Sequence, residues 1–221
     1  MQQGAVSADG AEAFRDHTPV VLRVWMPDRP GALGAVASRI GAVGGDLVGI
    51  EIVERGAGRA VDDLTVQLPS PDLVDLLVTE IHDVEGVDVE DVGFPGDTSR
   101  DPAMHALEVM EAMVAAEADA GSEALVLGAA SLLNADWAAM VEIDRCEVLH
   151  SVGDEVPTGN WLAGFAEGIA DGADSVQDVA CAMVPGVRRA VILGRDRPAL
   201  RERERRILEK LSALARMADT V

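Results

Sequence analysis

The heptapeptide Asp28-Arg29-Pro30-Gly31-Ala32-Leu33-Gly34 is the stretch of this chain whose residue types and spacing best fit a chemical role. It lies where an apolar period-two run (Val20, Leu22, Val24, Met26) gives way to apolar residues at helical spacing (Leu33, Val36, Ile40, Val43), which makes it a strand-to-helix turn. Pro30 suits a first helical turn, where its missing N–H is no loss and its fixed φ is already helical. Gly31 has no Cβ, so a ligand or another backbone can come close to the chain there. The first N–H groups of a helix have no intrahelical acceptor and sit at the positive end of its dipole, so this turn would cradle a carboxylate or a phosphate. The alternative is a well-made helix start with no ligand.

Elsewhere the residues nominate no reaction. His17, His82, His105 and His150 are scattered and show no metal-ligand spacing. Cys146 and Cys181 sit inside apolar runs without a basic cluster to lower a thiol pKa, and read as buried free thiols in a reducing cytoplasm. No nucleophile elbow, phosphate loop or dinucleotide fingerprint occurs. Acidic residues are too numerous for any pair to stand out as an acid/base couple. No catalytic residue, metal site or cofactor is therefore expected. The arginines from 195 to 206 interleave with Glu202 and Glu204 and read mostly as a solvated helix face. Asp196-Arg197-Pro198 reads as a second helix start, without a glycine to admit a ligand.

Composition narrows the partners. The formal charge of −21 argues against nucleic acid, whose binders cluster Lys and Arg on phosphates, and against an anionic membrane surface. No apolar run reaches the length of about 18 residues that a membrane span needs. Residues 1–18 lack the basic start and apolar run of a signal peptide and read as a disordered tail, which together with the thiols gives a cytoplasmic expectation. With 48% apolar but only 3% aromatic residues and no Tyr, the core must rest on Val, Leu, Ile, Ala and Met.

The elements around the turn follow in order. The helix after it is weakened by Gly41 and ended by Gly44-Gly45. A strand pattern from residue 46 to 53 includes Gly49, which suggests a bulge or a close approach. Residues 55–59 form a hairpin loop and residues 60–68 the return strand, with Leu64, Val66 and Leu68 on one face and Thr65 and Gln67 on the other. Leu73, Leu76, Leu77, Ile81 and Val84 mark a second helix, and Val87, Val89 and Val92 a last strand. Strand–helix–strand–strand–helix–strand is the ferredoxin-like βαββαβ pattern, one antiparallel sheet with both helices on one face. Its other face would carry Arg23, Trp25, Thr65 and Gln67, packed against a partner sheet, the second domain or solvent. One Trp on so acidic a chain excludes the RNA-binding version of this pattern, which stacks bases on several aromatics.

At these residues the chain resembles an ACT domain, a small regulatory module of amino-acid metabolism. The likeness covers residues 19–95, on the strand ending Val24-Trp25-Met26-Pro27, the DRPG turn followed by Ala32-Leu33, the helix closing at Gly44-Gly45, and the strand Asp46-Leu47-Val48-Gly49-Ile50. It implies two domains associating as a homodimer, with a free amino acid bound at their interface. The site would comprise Asp28, Arg29, Pro30, Gly31, Ala32 and Leu33 from the turn and Asp46, Leu47 and Val48 from the second strand. Asp28 would receive the ligand's ammonium and the N–H groups around residues 31–33 its carboxylate, while Arg29 points to solvent or to a backbone carbonyl. Asp46 stands where the family often has Asn, and a carboxylate only accepts hydrogen bonds at neutral pH. It reads equally well as a turn residue after the glycine pair.

Residues 96–102 have linker composition, and from 103 to 218 the texture changes. A Met- and Ala-rich helix (Met104, Leu107, Met110, Met113, Val114) continues brokenly toward Leu133, followed by a hairpin, a helix with Trp161, Leu162, Phe165 and Ile169, a second hairpin and a final helix with Ile207, Leu208, Leu211 and Leu214. This α+β order, an antiparallel sheet with flanking helices, is similar to a GAF domain in the residues 132–138 entering a strand, Met183-Val184-Pro185, and Val191-Ile192-Leu193-Gly194-Arg195. The short connection between residues 152 and 179 leaves little room to enclose a nucleotide or tetrapyrrole, so dimerisation or protein contact fits better.

The sequence therefore gives a non-enzymatic, allosteric amino-acid sensor as its first reading. Its second is a homodimeric scaffold that contacts a metabolic enzyme or regulator and binds no ligand. An enzyme with an unrecognised site is a distant third.

Overall fold

The computed structural model describes residues 17–93, 102–116, 118–173 and 176–218. All but the last two residues of the expected tail, and all but the last of the expected linker, lie outside them. The chain divides into two units, Met1–Thr98 and Ser99–Val221. Each carries a four-stranded antiparallel sheet, and six α-helices are distributed among them, a mixed α+β architecture.

In the first unit the elements are β1 (Thr18–Pro27), α1 (Ala32–Ala42), β2 (Asp46–Gly56), β3 (Arg59–Leu68), α2 (Val74–His82) and β4 (Asp88–Gly93), with sheet order β2-β3-β1-β4. The alternation seen in the sequence sets the layers. Val20, Leu22, Val24 and Met26 of β1 and Ala60, Leu64, Val66 and Leu68 of β3 form one core with Ala32, Val36 and Ile40 of α1 and Leu77 and Ile81 of α2. Both helices thus cover one face. The opposite face carries Arg23, held by Asp63 through two hydrogen bonds of 2.7 Å, and Trp25, whose Nε1 donates to Glu90 at 3.1 Å.

Two local features differ from the sequence reading. Gly31 is the residue before the helix and has φ of 90°, so α1 begins at Ala32 and Pro30 belongs to the turn preceding it. The hairpin loop is tighter than residues 55–59. Gly56 pairs with Arg59 across Ala57 and Gly58, both of positive φ, the turn that matches strand twist. At its other end α1 closes as expected. Gly45 N–H donates to Ile40 O and Gly44 N–H to Gly41 O, the paired bonds of a Schellman cap. The suspected irregularity at Gly49 is a bulge, and a second follows between Ile52 and Glu54.

The second unit runs α3 (Pro102–Ala115), α4 (Ala118–Leu132), β5 (Trp137–Glu142), β6 (Glu147–Gly153), α5 (Gly159–Ala170), β7 (Val179–Met183), β8 (Arg189–Gly194) and α6 (Glu202–Ala218), with sheet order β6-β5-β8-β7. Helices cover both faces. Ala138, Met140, Val191 and Leu193 meet α3, α4 and α6, while Ala139, Val141, Ala190 and Ile192 meet α5. That is why β5 and β8 are continuously apolar rather than alternating.

Two arginines overturn the solvated-face reading. Arg195 is 4% exposed and donates to the carbonyls of Leu133, Pro198 and Ala199 and to Glu204 at 2.8 Å. Arg205 donates to the carbonyls of Val176, Val179 and Leu200. The loop these bonds hold also corrects the second helix start, because α6 begins only at Glu202, well beyond Pro198.

Candidate functional site

The turn after β1 is tied down on one side and open on the other. Asp28 N–H donates to Gly58 O at 2.9 Å, which anchors the turn to the β2–β3 hairpin. Ala32 N–H returns to Arg29 O, and Ala35 N–H donates to Gly31 O to begin the helical ladder. Between them the N–H groups of Leu33 and Gly34 find no acceptor among the described residues, and no side chain caps the helix. No acidic residue lies in the first turn to offset the dipole. A Cβ built on Gly31 would meet nothing within 4 Å, so the ground in front of it is open. Glycine is required here for its positive φ rather than for a close neighbour.

The sequence-nominated residues divide by location. Asp28, Arg29, Pro30 and Gly31 are exposed, Ala32 is buried, and Leu33 packs half-buried on the core. Asp46 is exposed opposite Gln67, Leu47 packs on the core, and Val48 is the exposed extra residue of the first bulge. One chain does not bring the two groups together. Asp46 lies level with Gln67 and Pro19, whereas the turn leaves β1 level with Arg59. From residue 67 to residue 59 of β3 is eight steps, about 26 Å at 3.3 Å each.

A residue the sequence reading passed over stands at the turn's end of the sheet. Asp62 of β3 is 6% exposed, and its Oδ1 has no hydrogen-bond partner. It lies across from Val24 on one side and Ile52 on the other, on the face that bears the helices. Its signal was its phase: it continues the row of Leu64, Val66 and Leu68 at period two. Burial raises its carboxyl above the usual range, with nearby Asp28 and Asp63 adding to the effect and Arg55 opposing it. Arg55 attracts it from the end of β2 but makes no ion pair with it. Beside Asp62, α1 leaves part of the sheet uncovered, so Ile50 and Ile52 are 47% and 43% exposed although they point to the helix face.

The site therefore offers hydrogen-bond donors at the start of α1, two carboxylates at Asp28 and Asp62, and an aliphatic floor. Such a set is complementary in charge to a molecule carrying both a carboxylate and a cation. No group of three or more His, Cys, Asp or Glu suited to a metal ion occurs among the described residues. His82 accepts from Val89 N–H, and His105 pairs with Ser131, both far in sequence from the turn. Cys181 packs half-buried beside α5, and burial pushes its thiol up to about 12. Among the described residues no helix is long and apolar enough to cross a membrane.

No family model matches the chain, and no curated protein matches it. Among solved structures, the crystal structure of an unknown protein from Galdieria sulphuraria is similar, with 12% identity, 91% of this chain and 92% of that chain covered, and a TM-score of 0.34. A TM-score that low carries no conclusion about this chain.

Proposed function

We propose that the first unit is an ACT-like regulatory module that binds a free amino acid at the start of α1. The observation that carries this is the uncapped helix, with two unpaired N–H groups and open ground at Gly31, flanked by Asp28 and Asp62. The ligand's carboxylate would take the N–H groups and its ammonium Asp28. The order β2-β3-β1-β4 agrees with this reading.

Dimerisation would complete the site. Strand β2 is an edge, with Val48, Ile50 and Ile52 exposed along it. Two β2 strands pairing antiparallel about a two-fold between Ile50 and Glu51 would set Asp46 of one copy opposite Arg55 of the other. Asp46, Leu47 and Val48 would then stand beside the other copy's hairpin, to which its Asp28 turn is tied. An amino acid held there favours the paired state and shifts the population toward it. The second unit, GAF-like in element order, would serve protein contact.

The scaffold reading keeps one observation of its own. Met104, Leu107 and Val114 of α3 and Leu127 of α4 are large exposed apolar side chains, a surface suited to a protein partner. Thermal unfolding of the full chain against each of the twenty amino acids at about millimolar concentration separates the two, because a ligand of the native state raises the midpoint by mass action. The sensor reading requires that one amino acid or one chemical class raise it and that Asp28→Ala abolish the rise. A midpoint that no amino acid moves leaves the scaffold.

A further inference from the structure

We infer that Asp62 is the cation-accepting wall of the α1 site, and that the ligand is an amino acid with a positively charged side chain. This rests on the amino-acid reading above and adds the class of ligand to it.

Place comes first. The Asp62 side chain leaves the sheet on the face that carries α1, at the end where α1 begins. The three pairs Trp25–Val61, Met26–Ala60 and Pro27–Arg59 separate its row from the turn, and Ala32 of the first helical turn is buried in the same core as Met26 and Ala60. Asp62 therefore lies on the α1-bearing face of the sheet, toward the end at which α1 begins and within electrostatic reach of Asp28.

The second point is what Asp62 lacks. Asp62 is 6% exposed as a residue, and a carboxylate oxygen covered in this way that no donor reaches is rare unless something outside the chain completes it. Among the described residues Arg55 is the cation that bears on it, and it makes no hydrogen bond to the orphaned Oδ1. Asp28, the charge next nearest along the turn, is another carboxylate and repels it.

The third is charge matching. The donors of α1 take one carboxylate, and Asp28 and Asp62 take two cations. One carboxylate and two cations are the charges of lysine, ornithine and arginine at neutral pH. A neutral amino acid would leave one of the two aspartates unpaired. Shape agrees, since Ile52 lies directly across from Asp62 and Ile50 two residues away on the same uncovered face. They form a floor on which the methylene stem of a long basic side chain would lie while its head reaches the carboxylate.

Isothermal titration calorimetry of the full chain with L-lysine and L-arginine, and with the neutral counterparts L-norleucine and L-citrulline, tests this. One or both basic amino acids should bind at least about tenfold more tightly than the neutral counterpart. Asp62→Asn should bring that ratio to within about twofold while circular dichroism shows the fold intact. Arg55→Ala should leave the preference in place. Neutral amino acids binding as tightly as basic ones would overturn the role of Asp62 and leave the amino-acid reading standing. A preference that survives Asp62→Asn would also overturn it. Binding by none of the twenty amino acids would end both. The wild-type comparison decides by itself if Asp62→Asn does not fold.

Discussion

Replacing Asp62 by Asn should stabilise the ligand-free protein at neutral pH. In the unfolded chain the carboxylate is hydrated, whereas in the folded chain its Oδ1 is covered and meets no donor. An unsatisfied buried polar group costs about 1–3 kcal/mol, and a charged one more. Two features hold the value near the low end: Asp62 lies shallow, beneath a thin cover of atoms, and Arg55 attracts it. A gain of about 1 kcal/mol is expected, less than the contribution of one buried leucine such as Leu64, roughly 1.5–3 kcal/mol. That comparison explains why the fold tolerates the orphan. The pH dependence follows from the direction of the shift. Burial, then the charges of Asp28 and Asp63, raise the folded pKa above 3.8 against the pull of Arg55. Between 3.8 and the raised value the folded chain holds a proton that the unfolded chain has lost. Wild-type stability relative to Asp62→Asn therefore improves as pH falls through that window, and the destabilisation is complete above it. Urea unfolding at a series of pH values, followed by circular dichroism and tryptophan emission, measures the difference. The gap should be largest near pH 7 and close by about pH 3.5. A less stable Asp62→Asn at pH 7, or a gap that ignores pH, would refute the reasoning, since either would mean that the carboxylate is already satisfied.

Two further substitutions probe the frame around the site. Arg23→Met keeps the apolar stem but removes both 2.7 Å bonds to Asp63, whose side chain is 20% exposed; a loss of about 3 kcal/mol is expected in urea unfolding, with much of it restored when Asp63→Leu is added. Glycine substitutions should separate conformational from steric cost. Gly31→Ala meets no neighbour and should lose only about 1–2 kcal/mol for its positive φ, while a Cβ at Gly159 would lie 1.9 Å from Cys146 O, so Gly159→Ala should give little soluble protein on expression.

The order of elements was legible because both kinds of periodicity were strong. Val20 to Met26 alternate cleanly, Leu73 to Ile81 keep a helical stripe, and the broken Met-rich helix is two helices, α3 and α4. Boundaries were less so where one residue's backbone decided them. Gly31 in a left-handed conformation moves the start of α1 past Pro30, a choice between two conformations that composition does not record. Buried charge was the least legible. Arg195 and Arg205 look like surface arginines because their partners are backbone carbonyls, which carry no sequence signature. Asp62 was visible as a carboxylate in an apolar row, yet neither its missing donor nor its place at the open end of α1 can be counted along a chain. The turn itself was legible, but the distance between Asp28 and Asp46 was not, since it depends on β1 and β3 running the full length of the sheet.

The two bulges of β2 bear on more than the site. Each inserts an unpaired residue and twists the strand, and between them only Gly49 to Ile52 runs regularly against β3. An incoming strand at this edge would find about four residues of regular backbone, with acidic Glu51 and Glu54 in its path. A long, flat, apolar edge recruits copy after copy into fibrils; an edge this short, interrupted at both ends and negatively charged, discourages open-ended stacking. Deletion of the first bulge, by removing the exposed Val48, would lengthen the regular segment and make the protein's solubility, rather than its fold, the first property to suffer.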